Sequence, residues 1–153
     1  MRFRLVCVGR LSKPYQAVFA HYQKLLSPYV KLEVHELSEV PLSQGQARVK
    51  AREGEAILGR LKANAHTVAL DRLGEEFSSE QLSALLAERK LRGISDFQFI
   101  LGGAMGLDDP VLQAADMRWS LSRLTFPHQL ARCVVAEQLY RAIRIERGEP
   151  YHY

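Results

Sequence analysis

Three glycines stand within five positions of the stretch "FILGGAMGLDD", residues 99 to 109, where an apolar run ends. Glycine costs backbone entropy and packs no side chain, so strand interiors avoid it. A Gly-Gly pair after a strand is at its simplest a tight turn. The alternative is a place where something must approach bare main chain. The loop is not a phosphate-binding P-loop, because no Gly-Lys-Ser/Thr follows. Nor does "GGAMG" have the spacing of a dinucleotide fingerprint. The five histidines, at 21, 35, 66, 128 and 152, show no metal-ligand spacing, and no metal is expected. No nucleophile-elbow motif appears, and Cys7, inside the first apolar run, is placed to pack rather than to react. Cys133 reads the same way, as a small core residue.

Elements that could hold such a loop follow from the patterning. "RFRLVCVG" is a strand closed by glycine, and "YVKLEVHEL" alternates as a half-buried strand. "HTVALD" is a short strand, and "DFQFIL" is the strand that runs into the glycines. Between them lie helical segments: "SKPYQAVFAHYQKLL" with proline in its first turn, "ARVKAREGEAILGRLKA" weakened by Gly54 and Gly59, and "SSEQLSALLAERKLRG". Ser78 and Gln81 have capping-box spacing in the last of these. "DDPVLQAA" is a short helix and "MRWSLSRLTFP" has no clear period. "HQLARCVVAEQLYRAIRIERG" is a long helix with Pro127 marking its first turn, apolar on most faces. A face that wide requires partners on more than one side.

Strand–helix alternation predicts an α/β fold, one domain over residues 1–153, with a mostly parallel sheet and helices on both faces. Ligands in such folds bind at the carboxyl ends of the strands. Three segments lie there: the chain after Leu70, the chain after Leu101, and Leu121 to Phe126. No apolar run approaches a membrane span of ~18 residues. The start lacks the long apolar region of a signal peptide, so a cytoplasmic location is expected. Net charge is +4, and residues 118–153 hold six Lys+Arg against three Asp+Glu. A basic C-terminal quarter is either a solvated helix or a surface for a phosphate-bearing partner.

The motifs "ILGGAMGL", "WSLSRLTFPHQLARCVVAEQLYRA" and "PYHY", in this order, resemble the ribosomal large-subunit methyltransferase H family, a compact branch of the SPOUT methyltransferases. "LVCVG" and "LDRLGEEFSSEQL" extend the resemblance over essentially the whole chain. It implies a C-terminal trefoil knot, an exception to the rule that folds are unknotted. It also implies methyl transfer from S-adenosylmethionine to N3 of a pseudouridine in 23S rRNA, within the large subunit or the 70S ribosome, by a homodimer.

In similar enzymes the adenine of the cofactor rests on backbone groups of the knot loops. The resemblance thus assigns cofactor binding to Leu70, Gly102, Gly103, Leu121, Ser122, Arg123, Leu124, Thr125 and Phe126. A purine lying on main chain would explain the bare glycines. The methyl is already electrophilic on its sulfonium, and the obstacle is the N3–H of the base. His152 and His128 are candidates to accept that proton. Arg141 could stabilise the developing anion or pair with Glu137 four residues earlier. Tyr151 could stack on the flipped base. Family members often continue past Pro-Tyr-His with Arg or Lys where this chain has Tyr153, which removes a cation there. Two rival readings are a related knotted tRNA methyltransferase and a non-catalytic ribosome-binding or assembly protein.

Overall fold

The segment Arg2–Val8 has hydrogen-bonded strands on both sides, which is why it reads as a nearly unbroken apolar run. The computed structural model describes residues 1–153. The elements alternate as β1 (Arg2–Val8), α1 (Lys13–Leu26), β2 (Lys31–Leu37), α2 (Gln46–Leu58), β3 (His66–Glu76), α3 (Ser79–Leu91), β4 (Asp96–Leu101), α4 (Asp109–Ala114), β5 (Met117–Ser120) and α5 (His128–Glu146). The strands form one sheet in the order β2-β1-β4-β3-β5, and every neighbouring pair is parallel.

Side-chain alternation divides the interior into two layers. Phe3, Leu5 and Cys7 of β1 join Phe97, Phe99 and Leu101 of β4 beneath α1, α3 and α5. Val6, Val8 and Ile100 point the other way, onto Ile57 of α2 and Val111 of α4. Phe3 meets both Phe97 and Phe99 edge-on, at centroid distances of 5.9 and 5.6 Å. Both cysteines are buried and free, as expected of packing residues. Burial pushes the Cys7 thiol up to about 12, so it is no nucleophile.

Several local expectations hold and others are corrected. The Ser78–Gln81 capping box forms with both of its hydrogen bonds. Pro127 is the residue before α5 rather than part of its first turn. The aperiodic stretch after Asp116 contains β5, and β3 runs on to Glu76, well beyond "HTVALD". Both differences have one cause. Leu70 and Glu75 both pair with Trp119, so residues 71–74 leave the sheet and β3 resumes after them. That interruption hides the alternation of both strands.

The wide apolar face of α5 is covered within the chain. Its buried residues include Cys133, Val135, Ala136, Leu139, Tyr140, Ala142 and Ile143, which share the core layer of α1 and α3. α5 lies with α1 and α3 as its helix neighbours, so its breadth is not an argument for a second subunit.

Candidate active site

The carboxyl ends of β3, β4 and β5 surround a cleft of about 750 Å³. Leu70 to Leu73 line it, as do Gly102, Gly103 and the rest of the loop to Leu107. Leu121, Ser122, Leu124, Thr125, Phe126 and His128 complete the predicted part of the wall. The structure thus gathers segments more than fifty residues apart, as the strand-end rule requires. Arg123 is the one predicted cofactor residue that does not line the cleft; its neighbours do, and its own side chain is exposed.

Main-chain hydrogen bonding in the segment from Leu121 to Phe126 is open. Among the backbone–backbone bonds outside helices and strands, none is donated or accepted by residues 121–126. The Ser122 hydroxyl takes up the Leu124 N–H at 3.0 Å, and the Ser120 hydroxyl donates to the Ser122 carbonyl at 3.0 Å. Backbone groups left without a protein partner need another one, from water or a ligand. The rim carries charge of both signs, with Lys50, Arg72 and Arg118 alongside Asp71 and Asp109.

The two glycines line the cleft and also lie close to the protein's own atoms. A Cβ on Gly102 would lie 3.0 Å from the Gly106 carbonyl carbon and from a Leu107 methyl. One on Gly103 would lie 3.0 Å from a Glu53 oxygen and 3.1 Å from Val8. The protein's own close packing is one reason for bare backbone at these two positions. Gly106, at φ +80°, closes the turn, and its N–H donates to the Gly103 carbonyl at 3.1 Å. Gly102 and Gly103 therefore shape the cleft wall.

Behind that wall lies a residue the sequence did not flag. Glu53 of α2 is 4% exposed. One of its oxygens accepts a long bond from the Val40 N–H at 3.4 Å, and the other has no hydrogen-bond partner. Burial, then the nearby Glu39 charge, raises its carboxyl above the usual range, against a lowering pull from His128. His128 sits at the first position of α5 with Nε2 3.0 Å from Glu39 Oε1. Arg132, one turn on, is almost wholly buried and donates to Glu36 at 2.6 Å and to the Gly9 carbonyl at 2.8 Å.

The remaining predicted residues form a second cluster, which shares no residue with the cleft of the same chain. Arg141 and Tyr151 converge on Glu137 Oε1. The Arg141 Nε and Nη2 donate to it at 2.9 and 2.5 Å, and the Tyr151 hydroxyl donates at 3.1 Å. The Arg141 guanidinium also lies 4.7 Å above the Tyr151 ring. Burial and the Glu137 carboxylate push the Tyr151 phenol far above its ordinary value, so it stays a hydrogen-bond donor. His152 bridges two helices: Nδ1 is 3.2 Å from Arg141 Nη1, and Nε2 is 2.7 Å from Glu80 Oε1. Glu80 lies in the first turn of α3, where the helix's own backbone N–H and then His152 hold its carboxyl below the usual range.

Residues 1–152 match the family described as predicted SPOUT methyltransferases. The chain belongs to that family. Its all-parallel α/β sheet fits the knotted fold of SPOUT proteins. Among curated proteins it is 47% identical over 155 residues to the ribosomal RNA large subunit methyltransferase H of Pelotomaculum thermopropionicum, with 97% of each chain covered. Proteins of the same name from Symbiobacterium thermophilum and Clostridioides difficile are 43% and 41% identical, with 99% of each chain covered. Glu80 and Lys50 escaped the sequence reading because each sits on an ordinary polar helix face, and Glu53 because a carboxylate within the buried Val49–Ile57 stripe of α2 looks like a solvated charge in sequence. Only the fold brings them to the tail, the rim and the cleft wall.

Proposed function

We propose that this protein transfers a methyl group from S-adenosylmethionine to N3 of a pseudouridine in 23S rRNA, on the large subunit or the 70S ribosome. The observation that carries the reading is the cleft at the ends of β3, β4 and β5, walled by the open main chain of residues 121–126.

The residues present fit the cofactor. A purine edge needs both donors and acceptors, and unpaired backbone supplies both. Leu70, Leu121, Leu124 and Phe126 offer apolar walls, while Ser122, Thr125 and the backbone of Gly102 and Gly103 offer polar contacts. The amino-acid end of the cofactor is a zwitterion, and Lys50, Arg72 and Arg118 stand with Asp71 and Asp109 at the rim to meet it. When bound, S-adenosylmethionine supplies a methyl group already activated on a sulfonium.

The protein's work is then on the base. A uracil-type N3 attacks well only as its proton leaves. His152 takes the proton, Arg141 stabilises charge on the neighbouring oxygens, and Tyr151 offers a ring for stacking. Because the tail cluster and the cleft of one chain are separate, the reading includes a homodimer in which the tail of one subunit serves the cleft of the other. His128, which lines the cleft of its own chain, is the second candidate base.

Mass spectrometry of 23S rRNA from cells with and without the gene tests the reading. One N3-methylpseudouridine should vanish on deletion and return with the restored gene. Unchanged rRNA would reject it and favour a ribosome-binding role without chemistry. Methylation of assembled ribosomes should far exceed that of protein-free rRNA, since one small domain with net charge +4 has few groups for reading sequence.

A further inference from the structure

His152 has both ring nitrogens engaged, and the two partners are not equivalent. Arg141 has only N–H donors, so the nitrogen facing it, Nδ1, must present its lone pair in the neutral ring. The proton therefore sits on Nε2, where the Glu80 carboxylate accepts it at 2.7 Å. Two of the guanidinium nitrogens of Arg141 are fixed on Glu137, which leaves Nη1 as the arm that touches His152. Glu80 is itself anchored, since it lies in the first turn of a helix held by the Ser78–Gln81 capping box. A carboxylate behind an imidazole fixes both the tautomer and the ring orientation.

We propose that Glu80 is a positioning residue for methyl transfer. It holds His152 as the Nε2–H tautomer, so that Nδ1, the nitrogen beside Arg141, accepts the N3 proton. The proposal rests on the methyltransferase reading above. In the step, the N3–H bond breaks toward His152 Nδ1. The N3 electron pair forms the bond to the methyl carbon, and the carbon–sulfur bond breaks with its pair remaining on sulfur. His152 becomes an imidazolium between Glu80 and the product. The Arg141 Nη1–H that caps Nδ1 before the base arrives is released to the carbonyl oxygen beside N3, where negative charge develops. One N–H thus serves first the base and then the substrate.

The test uses the full-length protein in two arms. In the first, two-bond proton–nitrogen correlation spectra of the ligand-free, 15N-labelled protein read the His152 tautomer, assigned by comparison with His152→Asn. The expected result is Nε2–H in the native protein and in Glu80→Gln, whose amide oxygen still accepts. Glu80→Lys, which places donors against Nε2 while Arg141 still faces Nδ1, should leave neither tautomer favoured. In the second arm, single-turnover methylation of ribosomes is measured for the same proteins. Glu80→Lys should lose roughly 10–100-fold, the range for removing a carboxylate behind a functional histidine. Glu80→Gln should retain most of the rate, and cofactor affinity should be equal in all.

Glu80→Ala, which removes the acceptor without opposing charge, guards against disturbance of the α3 terminus and should show mixed tautomers and an intermediate rate. Native His152 found as Nδ1–H, or Glu80→Lys methylating at the native rate, would overturn the proposal. If the native protein methylates no ribosome, the functional reading fails. The tautomer spectra then still decide whether Glu80 sets the ring.

Discussion

Arg141 and Tyr151 share a single acceptor, Oε1 of Glu137, at 2.5 Å from Arg141 Nη2 and 3.1 Å from the tyrosine hydroxyl. The guanidinium also covers the tyrosine ring, so the three side chains hold one another by charge, hydrogen bond and face. Tyr151 and His152 are thereby docked rather than frayed. Glu137→Gln should free them. With the charge gone, stability should fall by about 1 kcal/mol, the scale of a partly exposed charged pair. Chemical denaturation measures this, and an unchanged midpoint would show that the shared acceptor is idle.

The tail's docking also carries a pH signature. The folded Tyr151 phenol is raised above its unfolded value, by burial and then by Glu137. The folded state therefore holds this proton more tightly than the unfolded chain does. Its contribution to stability is complete below the unfolded value of about 10 and declines as pH rises beyond it. Ultraviolet titration of the folded protein should find a late-ionising tyrosine component. Replacing Tyr151 by Phe should remove that late component. Six equivalent tyrosines would contradict the docked tail.

Removal of residues 151–153 should collapse the single-turnover rate on ribosomes by ~10²–10⁴-fold, the usual contribution of a positioned acid–base group. Affinity for S-adenosylmethionine should hardly change, because the proposed cofactor contacts, Leu70, Gly102, Gly103 and residues 121–126, all lie outside the tail. Calorimetry and rapid-quench kinetics on one preparation separate the two effects. A truncated protein that methylates normally would transfer the base role to His128.

Gly102→Val should lose cofactor affinity while the helices and sheet persist. A Cβ there meets the Gly106 backbone at 3.0 Å, so the turn from Gly103 to Gly106 must move and the cleft wall moves with it. Circular dichroism should remain native as calorimetric binding disappears. Full affinity in the variant would show that the wall can shift without cost.

Glu53→Gln should stabilise the protein at alkaline pH. Because burial raises the folded carboxyl, the folded state binds the proton more tightly than the unfolded one. Stability contributed by this group is complete below the unfolded value near 4.5 and declines as pH climbs through the raised folded value. The amide keeps the shape without the charge. The difference in melting temperature, variant minus native, should grow from pH 4.5 to pH 8, and a constant difference would mean that folding does not raise the Glu53 carboxyl.

The architecture was readable because strand and helix periods are local. "RFRLVCV" and "DFQFIL" declare buried strands by composition alone, and Ser78–Gln81 declares a helix start. β5 was not readable, because its four residues pair with a strand that breaks and resumes beside Trp119. The cleft segments were named from the strand-end rule and their cofactor roles from family likeness, and their meeting depends on strand order, which periodicity does not encode. One constraint on the glycines was missed for a related reason. A need for bare backbone is visible in sequence, but what approaches that backbone is a tertiary fact. In this chain it includes Gly106, Leu107, Val8 and Glu53.

The detour at residues 71–74 leaves and re-enters the sheet opposite the same residue, Trp119. Gly74 closes it with its backbone so near Arg118 that an added Cβ would lie 2.7 Å from the Arg118 carbonyl carbon. Sheet register on either side is consequently independent of how many residues the detour contains. Doubling such a loop costs only ~0.6 kcal/mol in closure entropy. Residues 71–73 are therefore where this fold can accept insertions and new side chains at the mouth of the cleft, Leu73 being already 83% exposed. Gly74 is the fixed hinge of that variation. Diversification of what enters the cleft can proceed there without rewriting the sheet.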